Sequence, residues 1–84
     1  MSDLTGKTAI VTGGGSGFGA GIARAFAAAG ARVLVADINT DAARTVAADI
    51  GADFATADVA SNTSVSALAY HAADLLGDID ILVN

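Results

Sequence analysis

The chain has 84 residues, which suffices for one small domain, and 54% of them are hydrophobic. Nine acidic residues against four Lys and Arg give a formal charge of −5, which argues against a nucleic-acid partner. Cysteine, a signal sequence and an apolar run of about 20 residues are all absent, which predicts a cytoplasmic protein without disulfides or membrane segments.

The hydrophobic pattern changes period several times and predicts alternating strands and helices. Continuous apolar runs are typical of strands covered on both faces, and apolar residues at i, i+3 and i+4 are typical of helices with one buried face. In chain order the predicted elements are a strand over Thr8–Thr12, a helix over 17–29, a strand over 32–36 closed by Asp37, a helix within 39–51 capped by Asn39 or Thr40, a weaker strand over 53–59, a helix within 61–77 and a strand over 79–83.

This β-α-β-α-β-α-β order predicts an α/β fold with a Rossmann-like, doubly wound parallel sheet. Right-handed crossovers place helices on both faces, and the common strand order is 3-2-1-4. The chain ends within the fourth strand, which would then form an apolar edge of the kind that proteins usually cover. We therefore expect residues 1–84 to be the N-terminal part of a single nucleotide-binding domain in a longer protein.

A glycine-rich stretch, TGGGSGFG at 12–19, joins the first predicted strand to the first helix. Glycines there permit positive φ angles and close approach of a pyrophosphate, and the helix N-terminus favours its negative charge. Asp37 closes the second strand 20 residues after Gly17, where a carboxylate can accept hydrogen bonds from the ribose of a dinucleotide. Thr12 is expected to hydrogen-bond locally and shape the turn. The pattern predicts dinucleotide binding.

Several motifs resemble those of the short-chain dehydrogenase/reductase family. The loop reads T-G-x-x-x-G-x-G rather than G-x-G-x-x-G, Asp58-Val59 matches the family's D-V pair, and DILVN at 80–84 matches the start of its D-I-L-V-N-N-A-G motif. These motifs run along the whole chain, and family members are about three times longer. The resemblance therefore covers the cofactor half of such a protein.

The resemblance implies a role for each matching residue. The loop residues would line the path of the pyrophosphate and nicotinamide ribose, Asp37 would hold the adenosine ribose, and Asp58 and Val59 would bracket the adenine. Asn84 would support the central strand and reach a cofactor ribose. The residues thereby assigned to cofactor binding are Gly13, Gly15, Ser16, Gly17, Phe18, Gly19, Asp37, Ile38, Asp58, Val59 and Asn84.

The predicted cofactor is NAD rather than NADP. The 2′-phosphate of NADP would meet the Asp37 carboxylate at close range, and like charges there are costly. Family members that prefer NADP place a basic residue in the loop or after the second strand, where this chain has Ser16 and Ile38. Arg24 and Arg44 could reverse this preference, but both are predicted on solvated helix faces.

The resemblance implies an NAD-dependent oxidoreductase that transfers hydride between nicotinamide and a small alcohol or ketone, in a homo-oligomer (tetramer or dimer). The family's catalytic serine and Y-x-x-x-K pair are absent from these residues, since Asp74 stands four residues after Tyr70. We assign no catalytic or metal-binding residue, and Tyr70 is predicted to be a partly buried packing residue. The alternative function is a non-catalytic NAD-binding module that senses redox state.

Overall fold

A computed structural model describes residues 3–58 and 62–83. Strands and helices alternate along this part of the chain, as predicted. Their bounds are β1 Thr8–Thr12, α1 Gly17–Ala28, β2 Arg32–Asp37, α2 Thr40–Ile50, β3 Asp53–Thr56, α3 Asn62–Leu76 and β4 Ile81–Val83.

The strands form one parallel sheet in the order β3-β2-β1-β4, which confirms the predicted topology. In the register of the two central strands Ile10 stands opposite Leu34, and on the other side of β1 it stands opposite Leu82. Because all strands run the same way, their carboxyl ends meet at one edge, where ligands bind in open α/β sheets.

Alternate residues of the central strands cover opposite faces of the sheet with two separate apolar layers. One layer packs beneath α1 and α2, and its buried members are Val11, Ala23, Val33, Val35, Ala43, Val46 and Ala47. The other packs beneath α3, and its buried members are Ile10, Leu34, Ala36, Ala57, Leu68, Ala72 and Leu76. Helices therefore cover both faces, as a doubly wound sheet requires.

Two strands are shorter than predicted. The third strand stops at Thr56 rather than at residue 59, since β2 ends at Asp37 and its last carbonyl accepts from Ala57 N–H at 3.0 Å. The fourth strand begins at Ile81 rather than at residue 79, and Ile81 stands opposite Ala9, the second residue of β1. Strand length here depends on how far the partner strand extends.

Local chemistry sets the ends of α2. The Asn39 side-chain oxygen accepts from Ala42 N–H at 3.0 Å, so Asn39 rather than Thr40 is the N-cap. Gly51 ends the helix in the left-handed conformation, with φ of 68°. Among the described helices, none is long and apolar enough to cross a membrane.

Candidate functional site

The carboxyl edge of the sheet brings together the residues that the sequence singled out. The glycine-rich loop leaves β1, Asp37 is the last residue of β2, and Asp58 lies two residues beyond the end of β3. Strand β1 has β2 on one side and β4 on the other, so the loop stands where the strand order reverses. This is the position at which doubly wound sheets bind ligands.

The loop exposes bare backbone at the N-terminal end of α1. Gly13 and Gly17 have φ angles of 65° and 55°, and a Cβ added at either would meet nothing within 4 Å. Ser16 is the N-cap residue in an extended conformation, but its side chain does not cap the helix. The first N–H groups of a helix have no intrahelical partner and attract anions. The loop and helix end therefore form an open cradle with positive electrostatic character.

Other glycines of the loop are required by its own packing. A Cβ at Gly19 would lie 2.0 Å from the Gly13 carbonyl oxygen, so α1 can begin against the loop only without a side chain there. A Cβ at Gly14 would lie 2.8 Å from the Val11 carbonyl oxygen and 2.9 Å from Val35 Cγ1. Gly14 is not among the predicted site residues, although the unbroken run of three glycines, Gly13–Gly15, indicates a place where a side chain does not fit.

Asp37 contacts both the loop and the start of the next helix. Its Oδ2 accepts from Gly15 N–H at 3.0 Å, and its Oδ1 accepts from Asn39 N–H at 3.0 Å. Each carboxylate oxygen has a further lone pair, so the group can still accept hydrogen bonds from a ligand. Asn39 is predicted, with Thr40, as one of two candidate caps, and its N–H bond to the Asp37 side chain is a local turn between residues i and i+2.

The remaining predicted residues fall at the same edge or outside the described part of the chain. Phe18, in the first turn of α1, and Ile38, directly after β2, have 93% and 67% of their surface exposed. Asp58 is partly buried. Val59 and Asn84 lie outside the described residues.

The structure adds a long-range contact to the expectation for Thr12 and corrects the expectation for Tyr70. Thr12 Oγ1 donates to the Val83 carbonyl at 3.0 Å, so this hydroxyl ties β1 to β4 in addition to standing before the turn. Tyr70 is 78% exposed rather than partly buried, because α3 directs Leu68 and Ala72 to the sheet and leaves the tyrosine outside.

A cavity of about 490 Å³ lies at the opposite edge of the sheet. It opens between the C-terminal ends of α1 and α2, near Gly30, Gly51 and the first residues of β2 and β3. Helix C-termini present carbonyl oxygens and repel anions. This cavity is therefore a poor place for a pyrophosphate, in contrast to the loop at the carboxyl edge.

Comparison with known proteins supports the assignment of the motifs. The family described as short chain dehydrogenase matches residues 7–84. A 7alpha-hydroxysteroid dehydrogenase of Escherichia coli (strain K12) is 51% identical over 96% of this chain. The chain spans about a third of that relative's length (34%).

Solved structures share the fold closely. A crystal structure of hydroxysteroid dehydrogenase from Escherichia coli superposes with a TM-score of 0.96 at 48% identity, covering 98% of this chain and 36% of that one. A 3-ketoacyl-(acyl-carrier-protein) reductase from Brucella melitensis, complexed with NADH, gives a TM-score of 0.93 at 40% identity, covering 95% and 34%. The sequence motifs, the strand order and these matches agree: the chain belongs to the short-chain dehydrogenase family.

Proposed function

We propose that the protein is an NAD-dependent oxidoreductase that transfers hydride between nicotinamide and an alcohol or carbonyl group of a small molecule. In this proposal the residues described above bind the cofactor. The observation that carries it is the open glycine loop at the start of α1 beside Asp37 at the end of β2, in a member of a dehydrogenase family. Related proteins named for hydroxysteroid oxidation and ketoacyl reduction support alcohol and carbonyl chemistry.

The loop fits the pyrophosphate of a dinucleotide. Space is open beside Gly13 and Gly17, where an added Cβ would meet nothing, and the helix end supplies N–H donors. The backbone of Ser16, Phe18 and Gly19 would continue this path toward the nicotinamide. The bound nicotinamide would supply or accept the hydride, while these residues hold and orient it.

The adenosine half would lie across the ends of β2 and β3. Asp37 would accept hydrogen bonds from the ribose hydroxyls with the lone pairs that Gly15 and Asn39 leave available. We propose that Ile38, Asp58 and Val59 border the adenine, as the family resemblance implies. In the same way we assign Asn84 to a cofactor ribose.

Charge favours NAD over NADP at this site. A 2′-phosphate would approach the Asp37 carboxylate, and two negative charges there repel each other. The two arginines that could offset this repulsion pair with other carboxylates at the surface. Arg24 pairs with Asp49 at 3.1 Å, whereas Arg44 pairs with Asp41 at 3.2 Å and lies 5.4 Å from the centre of the Phe54 ring.

Titration of the protein with NADH and with NADPH, followed by nicotinamide fluorescence, tests the cofactor proposal. We expect saturable NADH binding with an affinity at least about tenfold higher than that for NADPH, a difference of about 1.4 kcal/mol. Equal affinities would contradict the charge argument. The absence of saturable NADH binding would contradict cofactor binding itself.

Turnover separates the enzyme from the alternative sensing module. We expect nicotinamide absorbance to change when NAD is mixed with the protein and a panel of secondary alcohols, or NADH with ketones. Tight NADH binding without turnover of any such compound would favour the sensor.

A cytoplasmic location and a homo-oligomeric state, dimer or tetramer, remain predictions. The large exposed surfaces of Tyr70 and Leu82, at 78% and 65%, suit contacts with further protein. Light scattering coupled to size exclusion would measure the mass in solution, and a monomer would contradict the oligomer.

A further inference from the structure

A continuous path of hydrogen bonds connects the glycine loop to the start of α2. Gly15 N–H donates to one oxygen of Asp37, Asn39 N–H donates to the other, and the Asn39 side chain in turn accepts from Ala42 N–H. Each of these three bonds is 3.0 Å long. The carboxylate thus joins the start of α2 to a loop residue that lies 22 residues before Asp37 in sequence.

The loop also packs tightly against the same helix. A Cβ at Gly15 would lie 2.8 Å from Ala42 Cβ, 2.9 Å from Ala43 N and 2.9 Å from Asp37 Oδ2. The backbone of Gly15 therefore sits directly on the first turn of α2, with the carboxylate beside it. Asp37 is partly buried, where a hydrogen bond to a charged acceptor is stronger than in open solvent.

We propose that Asp37 is a positioning residue that holds the glycine loop against α2 before any cofactor binds. This deepens the proposed function and rests on it only for the identity of the ligand that the loop receives. One carboxylate then serves two purposes, since it arranges the phosphate-binding backbone and selects the adenosine ribose. A substitution made to admit NADP removes the loop's acceptor at the same time.

Amide hydrogen exchange of the cofactor-free protein, resolved by residue with NMR, tests the proposal. In Asp37→Ala we expect exchange at Gly15 and Asn39 to accelerate by about tenfold or more, the effect of losing a hydrogen bond to a charged group. The Arg32 amide, which donates to the Lys7 carbonyl at the far end of the sheet, serves as an internal reference and keeps its exchange rate.

Asp37→Asn keeps the shape of the side chain but replaces one acceptor oxygen with an NH₂ donor. We expect only one of the two amides to retain protection, because the other N–H then faces a donor. The matched control is Asp41→Asn, which removes the same charge from an 88% exposed side chain four residues away and should leave both amides unchanged.

Unchanged exchange at both Gly15 and Asn39 in Asp37→Asn would overturn the proposal, even if Asp37→Ala failed to fold. Acceleration at Arg32 equal to that at Gly15 would also overturn it, because the loss would then be global rather than local. The NADH titration of the unmodified protein keeps the two proposals apart. If the unmodified protein binds no NADH, the proposed function is contradicted. If Gly15 nevertheless loses protection when Asp37 is substituted, the positioning role of Asp37 still holds.

Discussion

Two glycines in the first turns of α1 have opposite surroundings. Gly19 faces the loop, where a Cβ would lie 2.0 Å from the Gly13 carbonyl oxygen, whereas a Cβ at Gly21 would meet nothing within 4 Å. Glycine is therefore sterically required at position 19, whereas at position 21 it only lowers helix stability through its greater conformational entropy in the unfolded chain.

We expect Gly19→Ala to lower the free energy of unfolding by about 1–3 kcal/mol, because backbone must move to admit the methyl group. NADH affinity should fall as well, since the displaced backbone includes the loop. Gly21→Ala, the matched control, should raise stability by about 0.5–1 kcal/mol, as alanine does in an exposed helix. Urea unfolding and NADH titration measure both quantities, and equal effects of the two substitutions would contradict this account.

Strand β4 is attached at its start by the side chains of two polar residues. Asp80 Oδ2 accepts from Thr8 N–H at 2.9 Å. The single proton of the Thr8 hydroxyl can go to the Asp78 carbonyl or to Asp80 Oδ2, which lies 3.2 Å away. The hydrogen bond from the Thr8 backbone holds the pKa of Asp80 below its ordinary value. Asp80, which opens the DILVN motif, therefore connects β4 to β1 at the amino ends of these strands, opposite the glycine loop.

This connection should make stability depend on pH. Because the folded-state pKa of Asp80 is lowered, its contribution is complete above the unfolded-state pKa of about 3.9 and is lost as pH falls through the folded value. We expect unmodified protein to be more stable than Asp80→Asn at neutral pH and the difference to shrink below about pH 4. Urea unfolding of both proteins from neutral to acidic pH measures it, and a difference that grows on acidification would refute the assignment.

Over the whole molecule, stability comes from two apolar layers on one sheet. Leu34 of β2 is fully buried beneath α3, whereas Leu82 of β4 is 65% exposed. The two leucines lie on opposite sides of β1, each paired in register with Ile10. The two leucines thus test the same side chain inside and outside the packed region.

We expect Leu34→Ala to cost about 2–5 kcal/mol, because it removes buried methyl groups and leaves a cavity. In a monomer of these 84 residues, Leu82→Ala should change stability by no more than about 0.5 kcal/mol, as exposed substitutions usually do. Thermal or urea unfolding compares them, and similar losses at both positions would show that Leu82 is buried in solution by another copy or another segment.

The sequence by itself determined the order of the elements, the strand order 3-2-1-4 and the edge at which the candidate site lies. Apolar periodicity distinguishes strands from helices, and the chirality of crossover connections leaves few topologies. The loop pattern, the Asp58-Val59 pair and the DILVN motif resemble those of the short-chain dehydrogenase/reductase family, and the comparisons confirmed this resemblance. These features depend on local sequence patterns and on the order of the elements along the chain, so they can be predicted without knowing the tertiary contacts.

Tertiary structure decided which groups touch. The hydrogen bond from Gly15 N–H to Asp37, the hydrogen bond from Thr12 to Val83 and the exposure of Tyr70 depend on where separate segments settle against one another. The close approach of Gly19 to Gly13 depends on the path that the loop takes into α1. Periodicity says which face of an element is apolar, but it does not say how far a neighbouring strand extends or which backbone atom meets a given side chain. Strand register and helix packing determine these contacts, and they place Asp37 between the loop and α2.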